Sequence, residues 1–248
     1  MTLSVLSLLA FSTLITSFIS GILGMAGGMI LMGVLLAVLP LPAAMMLHGV
    51  SQLASNGGRA FMLRRQVDWR VFGGYAIGAA IALAFFALTH IIVGKAAALV
   101  MMGLTPFAAL LLPESLHLNV ERRGHSLLCG IICLALNLTA GIAGPMLDVF
   151  FVRSKMSRHA VVATKALTQT LSHLVKIAYF GGVMAVQGAD VEPWLAATMV
   201  VLALLGTSLS RQVLERMSDA SFRQWTRWTV MTLGVMYLAS GLRLVFTA

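Results

Sequence analysis

No lysine, arginine, aspartate or glutamate occurs before Arg59, and further runs without a charge cover 71–94, 96–113, 124–147, 193–210 and 228–242. Several of these runs are long enough to cross about 30 Å of hydrocarbon as a helix. With 59% hydrophobic and only 10% charged residues, the chain lies far from the composition of a soluble domain. It reads as an all-α polytopic membrane protein forming one transmembrane domain, 1–248, whose polar connections are about a dozen residues at most. The opening segment has neither a basic region before Leu3 nor a cleavage-site pattern before Gly21, so it is expected to stay as structure.

Six spans follow from the apolar runs: 43–62, 71–90, 94–112, 160–182, 193–211 and 225–246. Two further stretches, 3–39 and 126–152, are interrupted by Gly24-Met25-Ala26-Gly27-Gly28 and by Gly141-Ile142-Ala143-Gly144-Pro145. Glycine pairs and a proline break helices, and freed backbone groups survive at membrane depth only under protein or beside a cavity. Both stretches are therefore expected to be broken helices, giving about eight apolar segments.

Two stripes of polar side chains, His48-Gln52-Ser55-Asn56-Arg59 and Lys165-Gln169-Ser172-His173-Lys176, stand in a chain that is otherwise mostly apolar. Both follow the spacing i, i+4, i+7, i+8, i+11, so each lies along one helix face. Such a face is costly against lipid and should look into a bundle or a water-filled path. The stripes also stand 117 residues apart, and sliding the chain on itself by that offset aligns Gly24 with Gly141, Ala26 with Ala143, Gly27 with Gly144, Met29 with Met146, Ala43 with Ala160, Gln52 with Gln169 and Ser55 with Ser172. This exceeds the roughly two or three matches that composition supplies by chance. Two homologous halves, 1–118 and 119–248, are expected. Pro145 over Gly28, and Asp148 over Leu31, depart from the repeat.

Charge suggests how the halves are oriented, once Arg59, Lys165 and Lys176 are set aside as pathway candidates. Eight strict crossings would put six basic residues on one side and eight on the other, which is no bias. If 3–39 and 126–152 instead dip in and return, Arg64, Arg65, Arg70, Arg122, Arg123, Arg153, Lys155, Arg158, Arg211, Arg216, Arg223 and Arg227 share one face. Only Lys95 and Arg243 are then opposite. Twelve against two fits the positive-inside rule. Each half then has one re-entrant segment plus three spanning helices, and an odd number of crossings inverts one half relative to the other. Asp190 and Glu192 fall on the far side, and Trp69, Trp194, Trp225 and Trp228 sit near span ends as interfacial anchors.

The chemistry expected of this layout is anion binding. The second arm of a broken hairpin begins with unpaired N–H groups and the positive end of a helix dipole. Pro145 suits its first turn, and Gly27, Gly28 and Gly144 would let a ligand approach the backbone. Gln52, Ser55, Asn56, Gln169, Ser172 and His173 would complete the pocket, with Arg59 and Lys176 providing one cation at each entrance. Lys165 with Asp148 either neutralise one another or form a proton-coupling pair, and His48 and His173 are candidate proton carriers. Serines and glutamines at such positions serve equally well as interhelical glue, and Gly74 and Gly78 read as packing glycines.

The broken segment Gly-x-x-Gly-Gly, the following helix with Ala43, Ser51 and Ser55, and the repetition of this pattern resemble the TauE/SafE family of sulfite and sulfonate exporters. The resemblance covers most of the chain. It implies a permease of the bacterial cytoplasmic membrane that moves small sulfur-containing anions, such as sulfite, sulfoacetate or related organosulfonates, outward and coupled to an ion gradient. The residues themselves leave open a permease or channel for a different anion or a neutral metabolite, and also self-association.

Other classes fare worse. A hydrolase would rest on Ser51 with His173, but Gly49-Val50-Ser51-Gln52 lacks the glycine that follows a nucleophilic serine in an elbow. A metal transporter would want clustered carboxylates or His and Cys ligands, whereas Asp148 is the lone acid in a span, and Cys129 and Cys133 read as packing residues. The net charge of +9 clusters in short loops, where it meets anionic lipid rather than nucleic acid. No cofactor or metal is expected.

Overall fold

A computed structural model describes residues 2–23, 25–187, 191–214 and 219–247; Gly24, Asp190 and Arg216 lie outside the described residues, as do the side chains of Arg211 and Arg223. The described residues form α-helices with two single 3-10 turns and no strand: α1 (Leu3–Leu23), α2 (Met25–Val38), α3 (Leu41–Met62), α4 (Trp69–Thr89), α5 (Lys95–Leu111), α6 (His125–Thr139), α7 (Gly144–Phe151), α8 (Arg158–Val186), α9 (Pro193–Leu214) and α10 (Asp219–Thr247). The six spans drawn from the sequence correspond to α3, α4, α5, α8, α9 and α10. Four stretches, Leu3–Ile22, Trp69–Thr89, Pro193–Ser210 and Gln224–Thr247, are long and apolar enough to cross a membrane. α3 and α8 have the length but carry the polar stripes, which lower their hydropathy. The four tryptophans are all exposed.

Local chemistry sets several helix ends. The Asp68 carboxylate accepts from Val71 N–H at 3.0 Å and Ser157 Oγ from Ala160 N–H at 3.2 Å, each satisfying a donor of a first turn. Pro42 occupies the first turn of α3, where its missing N–H is harmless. His90 closes α4 in the left-handed region at φ 51.

Three helix pairs are held by small residues. On the α4–α6 seam Gly74 abuts Ser126, Gly78 abuts the Leu127 carbonyl, and Gly130 abuts the Tyr75 carbonyl. On α1–α9, Gly206 abuts Leu14, and Gly21 abuts Ser210. On α5–α10, Gly103 meets Gly234, and Gly241 meets Val100. Backbones approach closely here because no side chain intervenes, which is how helices gain dispersion energy where lipid removes the hydrophobic drive. α3 and α8 form the fourth large contact, and it is polar. The pairings exchange between the halves: α1 packs on α9 as α6 packs on α4, and α2 meets α10 as α7 meets α5.

Both glycine clusters interrupt helices. α1 ends at Leu23 and α2, beginning at Met25, packs back on it, since Gly27 lies against the Thr16 carbonyl and Ser20, eleven and seven residues earlier. Between α6 and α7 the chain turns at Gly141, whose φ of +77 belongs to glycine. The loops before α6 and after α7 then meet. Val120 N–H donates to the Phe150 carbonyl at 3.0 Å, Asn119 Nδ2 to the Arg153 carbonyl at 2.9 Å, and Lys155 N–H to Glu121 at 2.6 Å. The α6–α7 hairpin thus enters and leaves at one end of the bundle. Asp68 N–H, donating to Thr164 Oγ1 at 2.9 Å, brings the loop with Arg64, Arg65 and Arg70 to the start of α8 at that end. At the other end, Tyr179 Oη donates to the Ile91 carbonyl at 2.8 Å, joining the α4–α5 loop to the end of α8.

Gly130→Val should cost more than about 2 kcal/mol, because backbone of α4 cannot yield to a new side chain. Gly73→Ala, with open space around it, should be neutral or raise stability by up to about 1 kcal/mol. Melting temperatures of the purified proteins check this, and equal values for the two variants would contradict glycine-mediated packing.

Candidate functional site at the helix breaks

α3 and α8 run antiparallel, so their stripes face one another end to end. Lys176 Nζ donates to His48 Nδ1 at 2.7 Å near one end of the seam, while Arg59 and Lys165 are close enough at the other to repel. Gly49 permits the approach, lying against the His173 carbonyl, Ile177 and Lys176 Cε. Ser172 and Tyr75 share a 2.6 Å hydrogen bond that ties α4 to this seam, and Thr207 Oγ1 donates to Ser55 Oγ at 3.0 Å from α9. Asn56 Nδ2 donates to the carbonyl of Gln52 at 3.0 Å and to its Oε1 at 3.3 Å, fixing the glutamine amide against Gly28. Gln169 is half-buried in α8.

The two breaks meet beside this seam. A Cβ on Gly144 would stand 2.6 Å from that of Met25, so the start of α7 touches the start of α2. His48 Nε2 bonds the Gly28 carbonyl at 2.9 Å, and Lys176 Nζ donates to the Gly141 carbonyl at 2.9 Å. Because an amine bound to a carbonyl and a ring nitrogen acts as donor, His48 accepts at Nδ1 and carries its own proton at Nε2. One chain of hydrogen bonds therefore runs from Gly28 through His48 and Lys176 to Gly141. Pro145 lies in the first turn of α7, and Leu147 N–H closes that turn on the Ala143 carbonyl at 2.9 Å. The glycine faces are filled in this conformation: Gly27 by α1, Gly144 by Met25, and Gly141 by Met32 and Met45.

Lys176 is not an entrance cation. Its side chain is 0% exposed and lies within α8, where the sequence expectation had put it at a mouth. The reason is tertiary: the Gly141 carbonyl, freed by the break, needs a donor, and α8 supplies one. Arg59 is half-buried. Asp148 of α7 forms an ion pair with Lys165 of α8, both partly exposed. His173 stacks edge-to-face on His48 with ring centroids 5.6 Å apart, and its buried Nδ1 has no partner. Ser51 Oγ donates to Leu47 within its own helix at 3.1 Å, so no Ser51–His173 pair forms. Among the described residues no group of three or more His, Cys, Asp or Glu could hold a metal. Cys129 and Cys133 are buried free thiols with Sγ atoms 3.8 Å apart. A cavity of about 270 Å³ opens among Asp68, Arg70, Glu121, Arg122 and Arg123 at the basic end, away from the breaks.

Two functional-site neighbours carry no periodic signal in the sequence. Tyr75 and Tyr237 are single tyrosines in apolar helices, yet Tyr75 anchors Ser172, and Tyr237 donates to the Met29 carbonyl at 2.8 Å. A buried tyrosine in a membrane helix needs a hydrogen-bond partner, which is the signal that could have found them.

Residues 9–237, nearly the whole chain, match the sulfite exporter family TauE/SafE. The chain belongs to that family. TauE/SafE proteins are membrane transporters, so the apolar helices form a permease and the family points away from enzyme chemistry. No curated protein and no solved structure matches the chain.

In this TauE/SafE chain, Asp148→Asn and Lys165→Gln should each destabilise. With side chains 25% and 41% exposed for Lys165 and Asp148, solvent screening keeps their coupling to about 1 kcal/mol or less. A double-mutant cycle on denaturation measures it, and strict additivity would remove the pair from the structural account.

Proposed function

We propose that the protein is a secondary exporter of small sulfur-containing anions, sulfite and organosulfonates such as sulfoacetate, in a bacterial cytoplasmic membrane. Transport proceeds by alternating access around an anion site near the bilayer midplane, where the breaks of α1–α2 and α6–α7 meet between α3 and α8. The single observation carrying this reading is that contact, with the Gly28 and Gly141 carbonyls linked through His48 and Lys176. Helix starts at α2 and α7 offer dipoles and N–H groups, Gln52 and Gln169 offer amides, and Lys176 offers an amine donor to an oxyanion. In the chain's second half the hairpin returning to its own side, together with the exchange of packing partners between the halves, supports two inverted repeats, 1–118 and 119–248. Rocking one repeat against the other would expose the breaks to each side in turn. Asp148 with Lys165 lies on the same path as a second charge centre.

Labelled sulfite or sulfoacetate, offered to inside-out vesicles with and without a pH gradient, tests the reading. An exporter accumulates substrate inside them above the level of vesicles lacking the protein; accumulation of some other anion or a neutral solute alone would reassign the substrate. Gln52→Ala and Gln169→Ala should each weaken substrate binding by roughly tenfold, the worth of a lost hydrogen bond to a charged group, while melting temperature stays near wild type. Equal loss of folded protein in both variants would make them packing residues.

A further inference from the structure

Lys176 is a fully buried amine with no acid beside it among the described residues. Its two partners are an imidazole nitrogen and a backbone carbonyl, both neutral. The elements packed on α8 bring few charges: from α3 His48, with Arg59 three turns on; from α4 Tyr75, bonded to Ser172; from α6 Cys129 and Cys133. The 3-10 turn brings Arg64 and Arg65, both exposed. α7 brings Asp148, which is taken by Lys165. On α8 itself, Tyr179 is spent on the Ile91 carbonyl. A buried ammonium lacking a counter-charge is costly by several kcal/mol. Next to it, His173 is 7% exposed and keeps a ring nitrogen without a partner. A polar atom left unpaired in a core has hydrogen-bonding capacity to spare for a water or an ion.

Resting on the anion-transport reading above, we infer that the Lys176 amine is the proton-loading group of the cycle: each anion that settles at the breaks takes up one proton there, so anion and proton travel together. The anion supplies the counter-charge that the protein withholds, and the proton supplies the charge that the anion seeks. Each favours the other reciprocally, as linked ligands must. The proton comes from the solvent on the side from which the anion enters and leaves with it on the other. No bond other than N–H is made or broken. His48 and His173 act as positioning groups, the first holding the amine on the axis between Gly28 and Gly141. Lys165 cannot take this part while paired with Asp148, because its charge is already balanced.

Sulfoacetate suits the test, being fully ionised across about pH 6 to 8. Its binding to the purified full chain, followed by calorimetry in two buffers of different ionisation enthalpy, counts protons. Wild type should take up close to one proton per anion, with affinity falling by up to about tenfold per pH unit over the range of uptake. Lys176→Arg keeps a permanent cation and should bind sulfoacetate with uptake reduced to about zero and affinity independent of pH. Wild-type binding without proton uptake overturns the inference and leaves anion transport standing, and that measurement needs no variant to fold. Uptake persisting in Lys176→Arg overturns it too. Failure of wild type to bind either sulfoacetate or sulfite overturns the anion-transport reading, and this inference with it.

Discussion

A carbonyl or amide left unpaired at membrane depth costs several kcal/mol, and each broken helix creates several. The rest of this structure depends on how that cost is met. The protein sets the α1–α2 and α6–α7 breaks against each other and covers them with the two helices that carry polar side chains. His48 takes the Gly28 carbonyl, Lys176 the Gly141 carbonyl, and Tyr237 of α10 the Met29 carbonyl. The stripes on α3 and α8 are thereby first a structural necessity. Their capacity to meet a polar solute follows from the same placement.

Two kinds of interface divide the work. α1–α9, α4–α6 and α5–α10 are joined through glycines at backbone contact, where dispersion is strong, short-ranged and sensitive to any shift. The α3–α8 seam is joined through hydrogen bonds and charge, which can exchange one partner for another at similar energy. A bundle built this way holds its pairs rigid and keeps its adjustable contacts in one place.

The two ends of the polar seam are not equivalent. His48 and Lys176 are buried around carbonyl oxygens, whereas Arg59 and Lys165 share their end with the carboxylate of Asp148. The asymmetry comes from two substitutions between the halves, Asp148 over Leu31 and Lys165 over His48. One end holds a carboxylate among its cations, and the other holds its lysine between neutral groups.

The amino-acid sequence makes the helix inventory legible, since span limits depend on local hydrophobicity and on glycine and proline, and these act within one or two turns. It also located both breaks, the stripes and the partnership of Lys165 with Asp148, because each is a matter of spacing or of complementary charge. Packing alone encloses Lys176 rather than leaving it at a mouth, fills the face of Gly27 with α1, and brings Tyr75 to Ser172 and Tyr237 to the Met29 carbonyl. Periodicity reports which face of a helix is polar but not which neighbour it meets or in what register. Those are settled by backbone contact between glycine seams far apart in the chain, and by the demand of broken helices for hydrogen-bond partners that no local pattern records.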